Sequence, residues 1–268
     1  MQLNLTGATR LYIIVGDPIA QVKSPGGMTK AFADHDRDAI VVPVQVDPRD
    51  LGDLLHVADR LKNLDGIIVT MPHKFACRQY CTSVSGRSEF INAVSIMRRK
   101  PGGGWHGDVF DGTGFVLAML GKGYNPSGQR GLLVGAGGTG SAIAFALMEA
   151  GVRELAIHDE DAVRRDTLVL RLTAQGKGRV VAGSPDPTGF DFVGNATPAG
   201  MKPGDPLPLD ISKLAPATYV GCVITVPAVP PLLEAARKLG CVHANGTEMY
   251  NALQHKMVEF LLHPEKQG

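Results

Sequence analysis

The chain has 268 residues, of which 44% are hydrophobic and 20% charged, and its formal net charge is +1. That length holds one large or two medium domains with a substantial core, and the composition is that of an ordinary globular protein. The near-neutral balance gives no electrostatic ground for nucleic acid or an anionic membrane as partner, and no apolar run approaches the roughly 20 residues that cross a bilayer.

Arg10 and Asp17 bracket the first apolar run, which is not the layout of a secretory signal, so the expectation is a cytoplasmic protein. Segments 11–15, 40–46 and 66–70 are short, apolar and β-branched and read as buried strands, with helices over 27–35, 48–62 and 74–83 between them. This alternation predicts a mostly parallel sheet covered on both faces. The Gly-rich patch 101–104 interrupts the pattern and reads as a domain boundary. A helix over 111–120 opens a second α/β series, with strands at 131–134, 154–158, 190–194, 219–224 and 242–244. An amphipathic helix over 249–262 has no strand after it and is free to fold back on the first domain. The expected fold class is therefore α/β: an N-terminal domain over 1–104, a dinucleotide-binding domain over 105–245, and a segment 246–268 returning to the first. Clefts between such domains are common ligand sites.

Strand 131–134 runs into Gly135-Ala136-Gly137-Gly138-Thr139-Gly140 and then into a helical pattern. In this strand–turn–helix setting Gly135 permits the tight turn. Gly137 and Gly138 let a pyrophosphate approach the backbone and the helix N-terminus, and Gly140 lets the helix pack close to the strand. The next strand ends at Asp159, placed to accept hydrogen bonds from the adenine ribose and to repel a 2′-phosphate. That predicts NAD, with NADP as the alternative because Arg164 and Arg165 follow closely.

Several segments together resemble the shikimate and quinate dehydrogenases. They are Gly16-Asp17-Pro18-Ile19-Ala20-Gln21-Val22-Lys23-Ser24-Pro25, Val69-Thr70-Met71-Pro72-His73-Lys74, Gly107-Asp108-Val109-Phe110-Asp111-Gly112, Asn195-Ala196-Thr197-Pro198-Ala199-Gly200-Met201, and the stretch from Asn245-Gly246 to Gln254. With the glycine loop they occur in family order over nearly the whole chain. The resemblance implies an N-terminal α/β substrate domain, a Rossmann domain and a C-terminal helix returning to the first. It implies reversible hydride transfer between a cyclic hydroxy acid and NAD(P). Its site residues map to Lys74 and Asp111 as catalytic groups, Ser24, Thr70, Ser95 and Gln254 on the substrate, and Asn195 and Thr197 on the cofactor side.

The departures from the family pattern are equally specific. Val22 replaces a serine of the first loop, Ile68 an asparagine two residues before Thr70, and Ser95 an asparagine. Val109-Phe110 replaces Asn-Thr ahead of Asp111, and Thr225 stands where a tyrosine is usual. The catalytic groups are kept while the substrate pocket becomes more apolar, with Gln21 and Lys23 as alternative polar contacts.

Oxidising an alcohol requires a proton acceptor, and Lys74 is the natural one. Burial would favour its neutral amine, and a neighbouring Asp111 would favour and orient its ammonium. The competing reading, motivated by the altered pocket, is a non-catalytic sensor of a dinucleotide or small acid; Lys74 and Asp111 together count against it. A folate-linked dehydrogenase of similar build is a third, disfavoured by the Asn195–Met201 segment. The four cysteines (Cys77, Cys81, Cys222 and Cys241) and eight histidines form no zinc or disulfide pattern, so no metal is expected. The expected partner is a small-molecule substrate, with no nucleic acid and no membrane, bound by a monomer or homodimer.

Overall fold

The computed structural model describes residues 5–263. The chain divides into two compact units, one running to Phe110 and taking up again from Gln254, the other Asp111–Leu253. The expected domain limits at residues 1–4 and 264–268 lie outside the described residues.

In the first unit the order is β1 (Arg10–Gly16), α1 (Ser24–Asp34), β2 (Ala39–Gln45), α2 (Leu51–Ala58), β3 (Leu64–Val69), α3 (Lys74–Arg78), β4 (Cys81–Val84), α4 (Gly86–Ile91), β5 (Ile96–Arg99) and β6 (Trp105–Asp108). The strands form one sheet in the order β2-β1-β3-β5-β6-β4. Strand β1 is parallel to both β2 and β3, whereas β5 is antiparallel to β3 and to β6. Central β1 is buried on both faces. Ile13 and Val15 join Leu51, Leu55 and Ala58, the i, i+4, i+7 stripe of α2, while Tyr12 turns the other way onto Phe32, with ring centroids 4.4 Å apart. Each such fully buried side chain contributes on the order of 1.5–3 kcal/mol.

Three expectations are corrected here. The patch 101–104 is the turn of a β5–β6 hairpin, not a domain boundary. Gly102, Gly103 and Gly104 all take positive φ (87°, 103° and 76°), and Arg99 pairs with Trp105. Strand β6 therefore belongs to the first unit, and the division falls after Phe110. The helix expected over 74–83 stops at Arg78, because Cys81–Val84 is drawn into the sheet as edge strand β4, parallel to β6. The helix expected over 48–62 is shorter, Leu51–Ala58. Beyond it the Arg99 guanidinium, stacked on Trp105 at 4.3 Å, donates to the carbonyls of Ala58, Asp59 and Leu61, groups that continuing the helix would have satisfied.

The second unit begins with α5 (Asp111–Gly121) and continues as β7 (Arg130–Val134), α6 (Gly138–Glu149), β8 (Glu154–His158), α7 (Ala162–Thr173), β9 (Arg179–Ala182), β10 (Phe192–Asn195), β11 (Tyr219–Cys222), α8 (Pro231–Lys238) and β12 (His243–Ala244). All pairings are parallel, in the order β12-β11-β10-β7-β8-β9. This is the doubly wound order, with its direction reversing between β7 and β10, the place where such sheets bind ligands. Gly194 and Gly221 leave room for Phe115 of α5: a Cβ on either would lie 3.0 or 2.3 Å from its ring. The last helix, α9 (Gly246–Leu262), starts in this unit and ends in the first. There Leu261 packs over Gly66 and Phe260 meets Phe110. No described helix is long and apolar enough to cross a membrane.

Candidate active site

The carboxyl end of the first sheet gathers the expected substrate-side residues. The loop after β1 delivers Ser24, buried at the start of α1 beside Pro25. The loop after β3 delivers Thr70 and then Lys74, the first residue of α3. Backbone bonds lock these loops together: Asp17 N–H donates to the Met71 carbonyl at 3.0 Å, and Thr70 N–H to the Val15 carbonyl at 2.9 Å. Gly16 is required for this approach, since a Cβ there would lie 2.4 Å from Thr70 Cγ2. His73, 1% exposed, anchors the turn before Lys74 through a ring nitrogen 2.9 Å from the Val46 carbonyl.

Because β5 runs antiparallel to β3, the residue just before it, Ser95, reaches the same end of the sheet. Val69 N–H donates to the Ser95 carbonyl at 2.8 Å, and Val94 N–H to the Lys74 carbonyl at 2.9 Å. Strand β6 returns to that end, where Ser95 N–H donates to the Asp108 carbonyl and Ser95 Oγ accepts from Phe110 N–H at 3.0 Å. Ser95 thus fixes the backbone just ahead of Asp111 and keeps its own hydroxyl hydrogen for donation. Gln254 lies in the part of α9 that belongs to this unit. Ile68 is 5% exposed in β3 opposite Ile96, Val22 is half-buried, and Lys23 is exposed beside Ser24.

The second sheet carries the dinucleotide features. Gly135 has φ 104°, and a Cβ on it would meet Thr197 Cγ2 and the Ala196 backbone within 3.0 Å. A Cβ on Gly140 would lie 1.9 Å from the Gly135 carbonyl oxygen, so only glycine lets α6 lie this close to the loop. Gly137, by contrast, faces open space, with nothing within 4 Å of its Cβ position and no side chain capping the start of α6. That start, with its N–H groups and the positive end of the helix dipole, fits a pyrophosphate.

Asp159 is tied into this loop. One carboxylate oxygen accepts from Ala136 N–H at 2.7 Å and the other from Asp161 N–H at 2.9 Å. Arg164, expected to compete for a phosphate, lies 3.7 Å from Asp159 and 3.3 Å from Asp161, and Arg165 pairs with Asp166 at 2.8 Å. Asn195 is fully buried. Its side-chain oxygen accepts from both the N–H and the hydroxyl of Thr197, so it shapes the loop after β10 from within.

Sequence reasoning missed the surroundings of Asp108. This carboxylate is 8% exposed and takes a bidentate bond from Arg87 at 2.7 and 2.6 Å, a bond from Ser85 Oγ, and one from Val109 N–H at 2.7 Å. Asp108 lay inside the quoted Gly107–Gly112 block, but Arg87, on α4, had no local signal. Other reactive groups nearby are quiet. Burial pushes the Cys77 and Cys81 thiols up to about 12, so neither is a thiolate nucleophile. Burial first, then Arg98, holds His106 below the usual imidazole range, which keeps it neutral beside Ser83 at pH 7. Among the described residues no group of three or more His, Cys, Asp or Glu side chains is placed to hold a metal ion.

A doubly wound sheet with this glycine loop, joined to an α/β unit that sets a lysine on its sheet edge, defines a nicotinamide-dependent oxidoreductase. Comparison with known proteins narrows the class. The model for the shikimate dehydrogenase substrate binding domain matches residues 14–97. The NADP(+) shikimate dehydrogenase of Geobacter sulfurreducens is 32% identical over 257 residues, 92% of this chain and 89% of that one. The shikimate 5-dehydrogenase of Listeria monocytogenes, solved with shikimate and NAD, superposes with a TM-score of 0.87 at 26% identity, covering 98% of this chain and 95% of that one. The quinate dehydrogenase of Corynebacterium glutamicum, solved with NAD, gives 0.83 at 27% identity over 95% and 94%. The chain belongs to the shikimate dehydrogenase family and is an NAD(P)-dependent dehydrogenase.

Proposed function

We propose that the protein reversibly oxidises one hydroxyl of a shikimate- or quinate-like cyclic hydroxy acid and prefers NAD to NADP. The observation that carries this reading is the convergence of Ser24, Thr70, Lys74 and Ser95 on one edge of the first sheet, with the segment entering Asp111 held to the same edge by Ser95.

Lys74 accepts the proton of the substrate hydroxyl as the alcohol is oxidised, and its ammonium returns that proton to the carbonyl oxygen in reduction. Asp111, which the family pattern pairs with this lysine, is the second catalytic group. Ser24, Ser95 and Gln254 bind the acid and the remaining hydroxyls, and the exposed ammonium of Lys23 adds a charge for a carboxylate. Thr70, packed on Gly16, sets the distance between the first two loops. The backbone at Gly137 and Gly138 would hold the pyrophosphate of the dinucleotide, Gly135 and Gly140 allow the turn and the helix to lie close enough for that, and Asn195 and Thr197 shape the neighbouring loop. The bound nicotinamide supplies the hydride acceptor. Asp159 would meet the adenine ribose, and the pairing of Arg164 and Arg165 with nearby carboxylates supports NAD. With Val22, Ile68 and Thr225 the pocket offers fewer polar partners than the family pattern, which favours a substrate with fewer hydroxyls than shikimate. We place the enzyme in the cytoplasm, as a monomer or homodimer.

Cofactor reduction measured with shikimate, quinate and related cyclic hydroxy acids, each with NAD and NADP, tests the reading. Turnover of at least one acid, faster with NAD, is expected; binding of a dinucleotide without turnover of any acid would contradict the proposed substrate class, and faster turnover with NADP the cofactor preference.

A further inference from the structure

The family pattern places Asn-Thr ahead of the catalytic aspartate, and this chain has Val109-Phe110. Phe110 is 6% exposed and held on two sides. The Arg87 guanidinium lies 4.4 Å above its ring, and the Phe260 ring meets it edge-on at 5.6 Å and 77°. Arg87 is itself fixed by its bidentate bond to Asp108. Phe260 is held in turn by Arg98, 4.8 Å from its ring centroid, and by His106 at 5.8 Å. Ring–ring and cation–π contacts of this geometry are directional as well as apolar. The turn between β6 and Asp111 is thus gripped by rings where the family pattern supplies polar side chains. One of those rings belongs to α9, the helix that also carries Gln254.

We propose that the Arg87–Phe110–Phe260 stack is a positioning device. It fixes the backbone of Phe110, the residue that leads into Asp111, and through Phe260 ties that residue to the helix that carries Gln254. The inference rests on the catalytic reading of Asp111 given above. A group displaced by about 1 Å costs up to about a hundredfold in rate, so loss of the stack acts on kcat while the dinucleotide loop is untouched.

The test uses Phe110→Leu, Phe260→Leu and the ring-retaining Phe260→Tyr, each alone and in an Asp111→Asn background, with melting temperatures recorded alongside. Both leucine variants are expected to lower kcat about tenfold or more with the KM for cofactor within about twofold. Phe260→Leu should also raise the KM for the hydroxy acid, and Phe260→Tyr should retain kcat. In the Asp111→Asn background the leucine substitutions should have no further effect on kcat. Leucine variants that melt earlier but keep kcat overturn the proposal, as does an undiminished loss in the Asp111→Asn background. An Asp111→Asn enzyme with ordinary turnover is a different failure and overturns the catalytic reading itself.

Discussion

In the second sheet every strand pair is parallel, and the positions that define its ligand end are glycines: Gly135 in a positive-φ turn, Gly137 facing open space, Gly140 under the Gly135 carbonyl. In the first sheet a hairpin turns back against its neighbours, and the groups at its ligand end are side chains on loops, Ser24, Thr70, Lys74 and Ser95. On the proposed reading, one region recognises its ligand with backbone and empty space, the other with hydroxyls and charge. Altering a residue of the first kind should disturb packing or cofactor affinity; altering one of the second should chiefly change chemistry or substrate choice.

The largest effect expected from the side-chain region is on Asp111. Asp111→Ala should lower turnover by about a hundredfold or more, and Lys74→Ala with Asp111→Ala should be less than additive, as for groups acting as one unit. Additive losses in steady-state kcat would separate the two roles. Next is substrate choice. Each polar partner missing at Val22, Ile68 or Thr225 costs a buried hydroxyl or carboxylate on the order of 1–3 kcal/mol. Two such losses lower the efficiency with shikimate about a hundredfold relative to a less hydroxylated acid, at about 1.4 kcal/mol per factor of ten. A kcat/KM for shikimate above about 10⁴ M⁻¹s⁻¹ would contradict that pocket.

The backbone region is sharpened by a pair of glycines. Gly140→Ala forces a Cβ to within 1.9 Å of a backbone oxygen, and overpacking of this kind costs about 1–3 kcal/mol. It should lower both the melting temperature and cofactor affinity. Gly137→Ala meets open protein space and should weaken the dinucleotide alone. Calorimetric melting and cofactor titration of the two variants distinguish packing from ligand approach, and equal melting losses would break the contrast. The smallest effect is at Asp159. Asp159→Ser keeps an oxygen able to accept the Ala136 N–H but removes the charge, and should shift the NADP-to-NAD efficiency ratio about fivefold toward NADP, the scale of one like-charge contact of about 1 kcal/mol in water-like dielectric.

Legibility in the sequence follows the same division. In the second unit 154–158 was read to the residue and the strands at β7, β10, β11 and β12 within two residues at either end, because each is a buried apolar run. Only Arg179–Ala182, a four-residue edge strand, carried too little pattern to be seen. In the first unit the hairpin was hidden because Gly102–Gly104 reads alike as a linker and as a tight turn. At the site, Lys74, Asp111, Ser24 and Thr70 stood out through their motifs. The Arg87–Asp108 pair joins residues 21 apart on different elements, and Asn195 turns its carboxamide inward to Thr197. Such partnerships depend on strand register and loop shape, which local pattern does not encode.

The proposed activity divides the labour between a proton-transferring lysine on the first sheet and a backbone cradle for the cofactor on the second. Lys74→Ala tests it most directly, with turnover of the best hydroxy acid and the dissociation constant for NAD measured on the same preparation. Turnover should fall about a hundredfold or more while the affinity for NAD stays within about twofold of the unaltered enzyme, since Lys74 lies outside the glycine loop. An unchanged turnover, or a loss explained by failure to bind NAD, would contradict it.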